Sequence, residues 1–178
     1  MKCDHCLGSL VEIPNRSYFR CRDCGTYVFA RTLDDAAEPI VPSGELVGVC
    51  CPKCECGLQF AELHQRWRVC FCNNCRGFII ENGSLGVLVH ELRSEYEGDD
   101  ATPIPLNQKE LTEQRDCPAC HHPMDTHPYH GPGTAVINSC RACRVTWMDH
   151  GEIASIIAAP GRRHAKGTTP ICPIGSAF

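Results

Sequence analysis

The chain has 178 residues, 16 of them cysteine, and a formal net charge of −4 at neutral pH. About 9% cysteine would mark a disulfide scaffold in a short secreted chain, but the start Met1-Lys2-Cys3-Asp4-His5-Cys6 shows no apolar signal segment. No stretch approaches the ~18 unbroken apolar residues of a membrane span, so the expected setting is reduced and cytoplasmic, with no membrane partner and with paired cysteines holding metal.

In chain order, residues 1–31 form the first unit, with Cys3/Cys6 and Cys21/Cys24 separated by 14 residues. Arg31-Thr32-Leu33-Asp34-Asp35 follows, leaving room for a short helix at most. Residues 32–49 hold four acids and neither Lys nor Arg, with Pro39 and Pro42, and read as an exposed acidic linker. The second unit, 50–93, pairs Cys51/Cys54 with Cys72/Cys75 across 17 residues. Within it Trp67, Val69 and Phe71 alternate with Arg66, Arg68 and Cys70, the period of a half-buried strand. Ser84 is placed to cap a helix carrying Leu85, Leu88, Val89 and Leu92. A second acidic linker, 94–116, holds seven acids against two bases.

The third unit, 117–159, pairs Cys117/Cys120 with Cys140/Cys143 across 19 residues. Pro123, Pro128, Gly131, Pro132 and Gly133 predict a loop or hairpin tip between the pairs. Asp149 and Glu152 have capping-box spacing, Ile153, Ile156 and Ile157 follow at helical spacing, and Pro160-Gly161 ends the run. Residues 160–178, with Arg162, Arg163 and Lys166, read as a flexible basic tail.

Apolar residues recur at fixed offsets from the cysteines, which makes the units copies of one pattern. Leu10, Leu58 and Met124 stand four residues after the second cysteine; Tyr18, Val69 and Ile137 stand three before the third; Val28, Ile79 and Trp147 stand four after the last. Units of this size need a metal or disulfides to fold alone. Structural zinc supplies an apparent ~10–16 kcal/mol in small zinc domains. The expected fold class is therefore small metal-stabilised β-rich domains: three tandem zinc ribbons, the second and third each followed by a short helix. Three structural Zn²⁺ ions are expected on the twelve paired cysteines, with iron as the rival metal in the first unit, since four thiolates suit both. Four cysteine ligands leave no open position for a catalytic water, and no Gly-rich phosphate loop or nucleophile motif occurs, so no enzyme is expected.

Cys117-Pro118-Ala119-Cys120, Cys140-Arg141-Ala142-Cys143 and Trp147-Met148-Asp149-His150-Gly151-Glu152-Ile153 resemble the prokaryotic zinc-ribbon family named after transcription factor IIB. The second unit matches in part, through Cys51-Pro52-Lys53-Cys54, Cys72-Asn73-Asn74-Cys75 and Ile80-Glu81-Asn82-Gly83-Ser84-Leu85. The first unit keeps only the four cysteines. The family's post-knuckle glycines are partly replaced, by Glu55-Cys56, His121-His122 and Arg144-Val145, which predicts altered knuckle geometry. The resemblance implies zinc binding and a transcription-related adaptor.

Cys50, Cys56, Cys70 and Cys172 are spare and read as small apolar or surface thiols, the alternative being a redox or metal sensor. His121, His122, His127 and His130 read as decoration of the hairpin. Arg22, Lys53, Arg76, Arg141 and Arg144 flank the knuckles, where cations offset the net −2 of a zinc tetrathiolate. Three such centres take the formal charge from −4 to about −10, which disfavours nucleic acid. A protein partner is the expectation, with direct nucleic-acid binding as the runner-up.

Overall fold

The computed structural model describes residues 2–13, 18–29 and 39–163. The first unit is a three-stranded antiparallel sheet of β1 (Leu10–Glu12), β2 (Tyr18–Cys21) and β3 (Tyr27–Phe29), with β3 at one edge. The short helix allowed after Arg31 falls outside the described residues.

The other two units share one seven-stranded sheet in the order β4-β5-β6-β7-β10-β9-β8. Its strands are β4 (Ile40–Cys50), β5 (Gly57–Leu63), β6 (Trp67–Phe71), β7 (Phe78–Glu81), β8 (Asp125–Pro128), β9 (Val136–Cys140) and β10 (Val145–Met148). Helix α1 (Asn82–Glu95) follows β7 directly, and α2 (Glu152–Ala158) follows β10 after a three-residue turn. The β-rich, few-helix fold class expected from the cysteine pattern is the one observed.

The seam between the units is a pseudo-two-fold axis. Counting from the last cysteine of each unit, Ile79 and Trp147 are equivalent residues, and they stand opposite each other in the antiparallel β7–β10 pair. Phe78 opposite Met148 and Ile80 opposite Thr146 are the symmetric flanking pairs. Both helices lie on one face, where α1 supplies Leu85, Leu88, Val89 and Leu92 and α2 supplies Ile153, Ile156 and Ile157. These meet Val69, Phe71, Phe78, Ile80, Ile137 and Met148 from the strands. Pooling two ribbons' apolar faces gives each a core that neither could assemble alone.

Independent units on flexible linkers are thus not what forms. Residues 40–49, assigned to the acidic linker, instead belong to Ile40–Cys50, the edge strand of the shared sheet. It pairs with β5 from Ile40 opposite Leu63 to Cys50 opposite Gly57, with register shifts between Pro42 and Leu46 and between Leu46 and Cys50. Gly44 and Gly48, with φ of 82° and 85°, take left-handed conformations that suit these irregularities. An edge strand keeps one side in water, so Pro42 and Glu45 disguised it.

The second linker is also tied down. Ala101 N–H donates to Ala158 O at 2.7 Å, and Asp100 ion-pairs with Arg163. The Arg163 guanidinium also lies over the Tyr96 ring, 4.9 Å from its centroid. Arg163 of the basic tail therefore binds the acidic linker; Lys166 and Cys172 lie outside the described residues.

Both expected helix caps differ in detail. Ser84 sits inside α1, which begins two residues earlier after Glu81, with no side-chain cap. At α2, Glu152 completes its half of the box, its Oε2 accepting the Asp149 N–H at 2.7 Å. The N-cap itself is Gly151, at φ 85°. The Asp149 carboxylate turns away, because Trp147 Nε1–H, Arg115 and Lys53 all claim it, at 2.9, 3.0 and 3.2 Å.

Candidate metal centres

Five of the six Cys-x-x-Cys knuckles are stitched by two backbone hydrogen bonds. The residue after the second cysteine donates to the first cysteine's carbonyl, as in Leu7 to Cys3, Glu55 to Cys51, Arg76 to Cys72 and His121 to Cys117 at 2.8–2.9 Å. The first cysteine's own N–H donates five residues ahead, as in Cys51 to Cys56 O at 2.7 Å and Cys117 to His122 O at 2.8 Å. This closure needs a left-handed residue after the second cysteine. All six knuckles have one: Leu7, Gly25, Glu55, Arg76, His121 and Arg144, with φ between 56° and 73°. The replaced glycines therefore do not alter knuckle geometry; the side chains are held in it.

The knuckles converge in pairs. Cys3, Cys6, Cys21 and Cys24 form one group, Cys51, Cys54, Cys72 and Cys75 a second, and Cys117, Cys120, Cys140 and Cys143 a third, the sulfurs of each lying within 4.8 Å of one another. Sulfurs bound at 2.3 Å around a tetrahedral ion lie roughly 3.8 Å apart. Cross-knuckle separations are 3.7 Å for Cys3–Cys24, 3.5 Å for Cys6–Cys21, 3.5 Å for Cys51–Cys75, 3.4 Å for Cys54–Cys72 and 3.6 Å for Cys120–Cys140. A disulfide would need about 2.05 Å. The donor sets thus fit a metal ion in each group.

The centres differ in exposure. The second is the most enclosed, with Cys51, Cys72 and Cys75 buried, whereas Cys6 and Cys24 of the first are exposed. Without metal, crowded sulfurs share their protons unequally. The Cys24 thiol is lowered to about 5, chiefly by the Thr26 hydroxyl 3.3 Å away. Cys120 is lowered to about 6 by the His122 N–H and ring, while Cys143, hydrogen-bonded to Cys120, is pushed up to about 12. A metal that enters must displace the remaining protons, so affinity falls with falling pH.

Around the sulfurs, the first unit docks onto the other two. Tyr18 and Tyr27 join Cys51, Leu58, Cys72, Cys75, Cys117, Met124, Cys140 and Trp147 in a second buried cluster on the sheet face opposite the helices. Lys53, from a knuckle of the second unit, is the junction. Its Nζ donates to Tyr18 Oη at 3.0 Å, pairs with Asp149 at 3.2 Å and lies 5.3 Å from the Tyr27 ring centroid. Burial alone would lower the ammonium's pKa, but Asp149 and Tyr18 outweigh it and hold it above the ordinary lysine value. Nearby, Arg76 lies over the Phe29 ring at 4.1 Å, and His150 packs against Phe29 at 4.8 Å.

Sequence reasoning placed the twelve cysteines but not this junction, because Lys53 looked like any cation beside a knuckle. Its partners come from the two other units, Tyr18 and Tyr27 from the first and Asp149 from the third. The spare thiols stay outside the four-sulfur groups: Cys50 and Cys56 are exposed, and Cys70 is half-buried, its thiol pushed up by burial. His127 and His130 stack on each other at 5.3 Å on the third unit's hairpin. Compared with family models, curated proteins and solved structures, the chain matches none. Among the described residues, no helix is long and apolar enough to cross a membrane.

Proposed function

We propose that the chain is a zinc protein with three structural ions, acting as a non-catalytic adaptor that presents a rigid three-unit body to a protein partner. The supporting observation is the geometry of the sulfurs: three complete four-cysteine sets, with separations of 3.4–3.7 Å where neighbouring knuckles meet. Zinc suits such a set, having no geometric preference beyond the tetrahedron its ligands impose. With every ligand a thiolate, each ion would be coordinatively closed, which argues against catalysis at the metal. The resemblance of the third unit to the zinc ribbons named after transcription factor IIB motivates a partner in transcription machinery.

Direct binding of nucleic acid ranks lower because several of the candidate cations are already engaged. Arg66, the best stacking-plus-cation position, pairs with Glu91 at 2.8 Å and Glu95 at 3.6 Å. Arg141 pairs with Asp125 at 2.8 Å, and Arg115 and Lys53 converge on Asp149. Neutralised side chains release few counterions from a phosphate backbone.

Elemental analysis of protein produced without metal supplementation is the test, and three zinc ions per chain are expected. Two ions, or mostly iron, would overturn the metal assignment. Fluorescence anisotropy with random duplex and single-stranded DNA across a salt series should show no binding tighter than micromolar. Nanomolar affinity with a steep salt slope would replace the adaptor reading with a nucleic-acid one.

A further inference from the structure

The junction between the first and second units leaves a cleft of about 380 Å³, and the edge of β3 runs along it. Residues 26–29 line one wall, while Asn73, Asn74 and Arg76 of the second unit's knuckle also line the cleft. Which backbone groups of β3 face outward follows from its register. Cys21 N–H donates to Thr26 O at 2.9 Å, so that pair and the Phe19–Val28 pair are the hydrogen-bonded ones. The intervening residues Tyr27 and Phe29 then turn their N–H and C=O groups away from β2, toward the open edge. Among the described residues, no backbone group bonds to them there. Unpaired main-chain donors and acceptors beside a cleft form a template for one more strand.

The cleft also has a charge direction. Arg76 marks its Phe29 end, with its guanidinium 4.1 Å from that ring's centroid. Asp4 also lines the cleft, and its chain neighbour Cys3 stands at the Thr26 end, Cys3 Sγ being 3.7 Å from Cys24 Sγ, which is 3.3 Å from Thr26 Oγ1. We infer that this cleft is a peptide-binding groove: an extended segment of a partner protein adds antiparallel to β3, with an acidic side chain at Arg76 and a basic one at Asp4. Antiparallel addition continues the pattern of the sheet, in which all pairings are antiparallel. The segment's amino end then lies beside Phe29, so the acid precedes the base by two positions, both on one face of the strand. Main-chain pairing supplies the affinity and the two charges set the order.

This inference names the surface through which the proposed adaptor works, and so rests on that reading. The test titrates ¹⁵N-labelled, zinc-loaded full chain with acetyl-Val-Glu-Val-Lys-Val-amide, following backbone amides by NMR. The expected result is saturable shifts at Tyr27 and Phe29. Binding should weaken at least tenfold for the reversed peptide with Lys before Glu, for a peptide N-methylated at alternate amides, and for the variants Arg76→Gln and Asp4→Asn. Absence of shifts at millimolar peptide overturns the groove, as does equal binding of the N-methylated or reversed peptide, or shifts centred on β4. Tyr27 and Phe29 amides already protected from exchange, and unmoved by peptide, would name the chain's own neighbouring residues as the occupant and likewise overturn it. Zinc is counted on the same sample: three ions with no shifts refute the groove alone, whereas a shortfall of zinc refutes the metal reading.

Discussion

Five non-glycine residues hold left-handed conformations directly after a cysteine knuckle: Leu7, Glu55, Arg76, His121 and Arg144. Each carries a steric cost of roughly 1–2 kcal/mol that glycine would not, partly offset by glycine's greater freedom in the unfolded chain. Glu55→Gly is the clean test, since the Glu55 side chain is exposed. Thermal denaturation of the zinc-loaded protein should show a gain of up to about 1 kcal/mol. A glycine in the same kind of turn can instead be fixed by space. A Cβ at Gly77 would overlap the Trp147 indole and come 3.0 Å from Met148 O. Gly77→Ala should therefore destabilise by about 1–3 kcal/mol, as overpacking of a closed site does, and denaturant titration would read it. Reciprocal behaviour at these two positions separates backbone strain from side-chain crowding.

At the level of elements, α1 and α2 are coupled by more than apolar contact. Arg93, buried on α1, sends its guanidinium to the carbonyls of Ile156, Ile157 and Ala159 at 2.6, 3.1 and 2.9 Å. Those carbonyls close the end of α2 and have no partner within their own helix. Arg93→Met should leave them unsatisfied and cost about 2–4 kcal/mol, with amide exchange accelerating first in α2. The apolar side of α1 was legible beforehand because Leu85, Leu88, Val89 and Leu92 keep helical spacing whatever they pack against. The Arg93 contact was not, since its acceptors are backbone atoms more than sixty positions away. The cysteine knuckles were legible for a similar local reason: two ligands per turn fix their own spacing. Strand β4 was hidden, because an irregular edge strand with Pro42, Gly44 and Glu45 has the composition of a linker. The capping carboxylate of Asp149 was misassigned since local spacing cannot reveal the two distant cations, Lys53 and Arg115, that claim it.

At the scale of the whole molecule, the first unit is held by Lys53, while the other two share a sheet. Removing that ammonium should loosen one body and spare the other. Lys53→Met is expected to cost about 2 kcal/mol, since Asp149 keeps Arg115. Limited proteolysis should then cut within residues 1–39 first, with the helices still protected. The folded state raises the lysine pKa, so this stabilisation is complete below the ordinary lysine value and fades only as pH climbs through the raised one. Docking should accordingly be flat across neutral pH. Graded chelation should strip the first centre before the others, because Cys6 and Cys24 are exposed; release of the second ion first would contradict that order. The seam where Ile79 faces Trp147 carries a different message. An axis that pairs a residue with its own counterpart is what two identical copies of a single ribbon make when they associate edge to edge. The second and third units are arranged as such a homodimer written into one polypeptide, with residues 96–116 as the tether. Within that arrangement the halves differ: one has Trp147 and its carboxylate network at the axis, while the other has Ile79 there and Gly77 where the indole needs room.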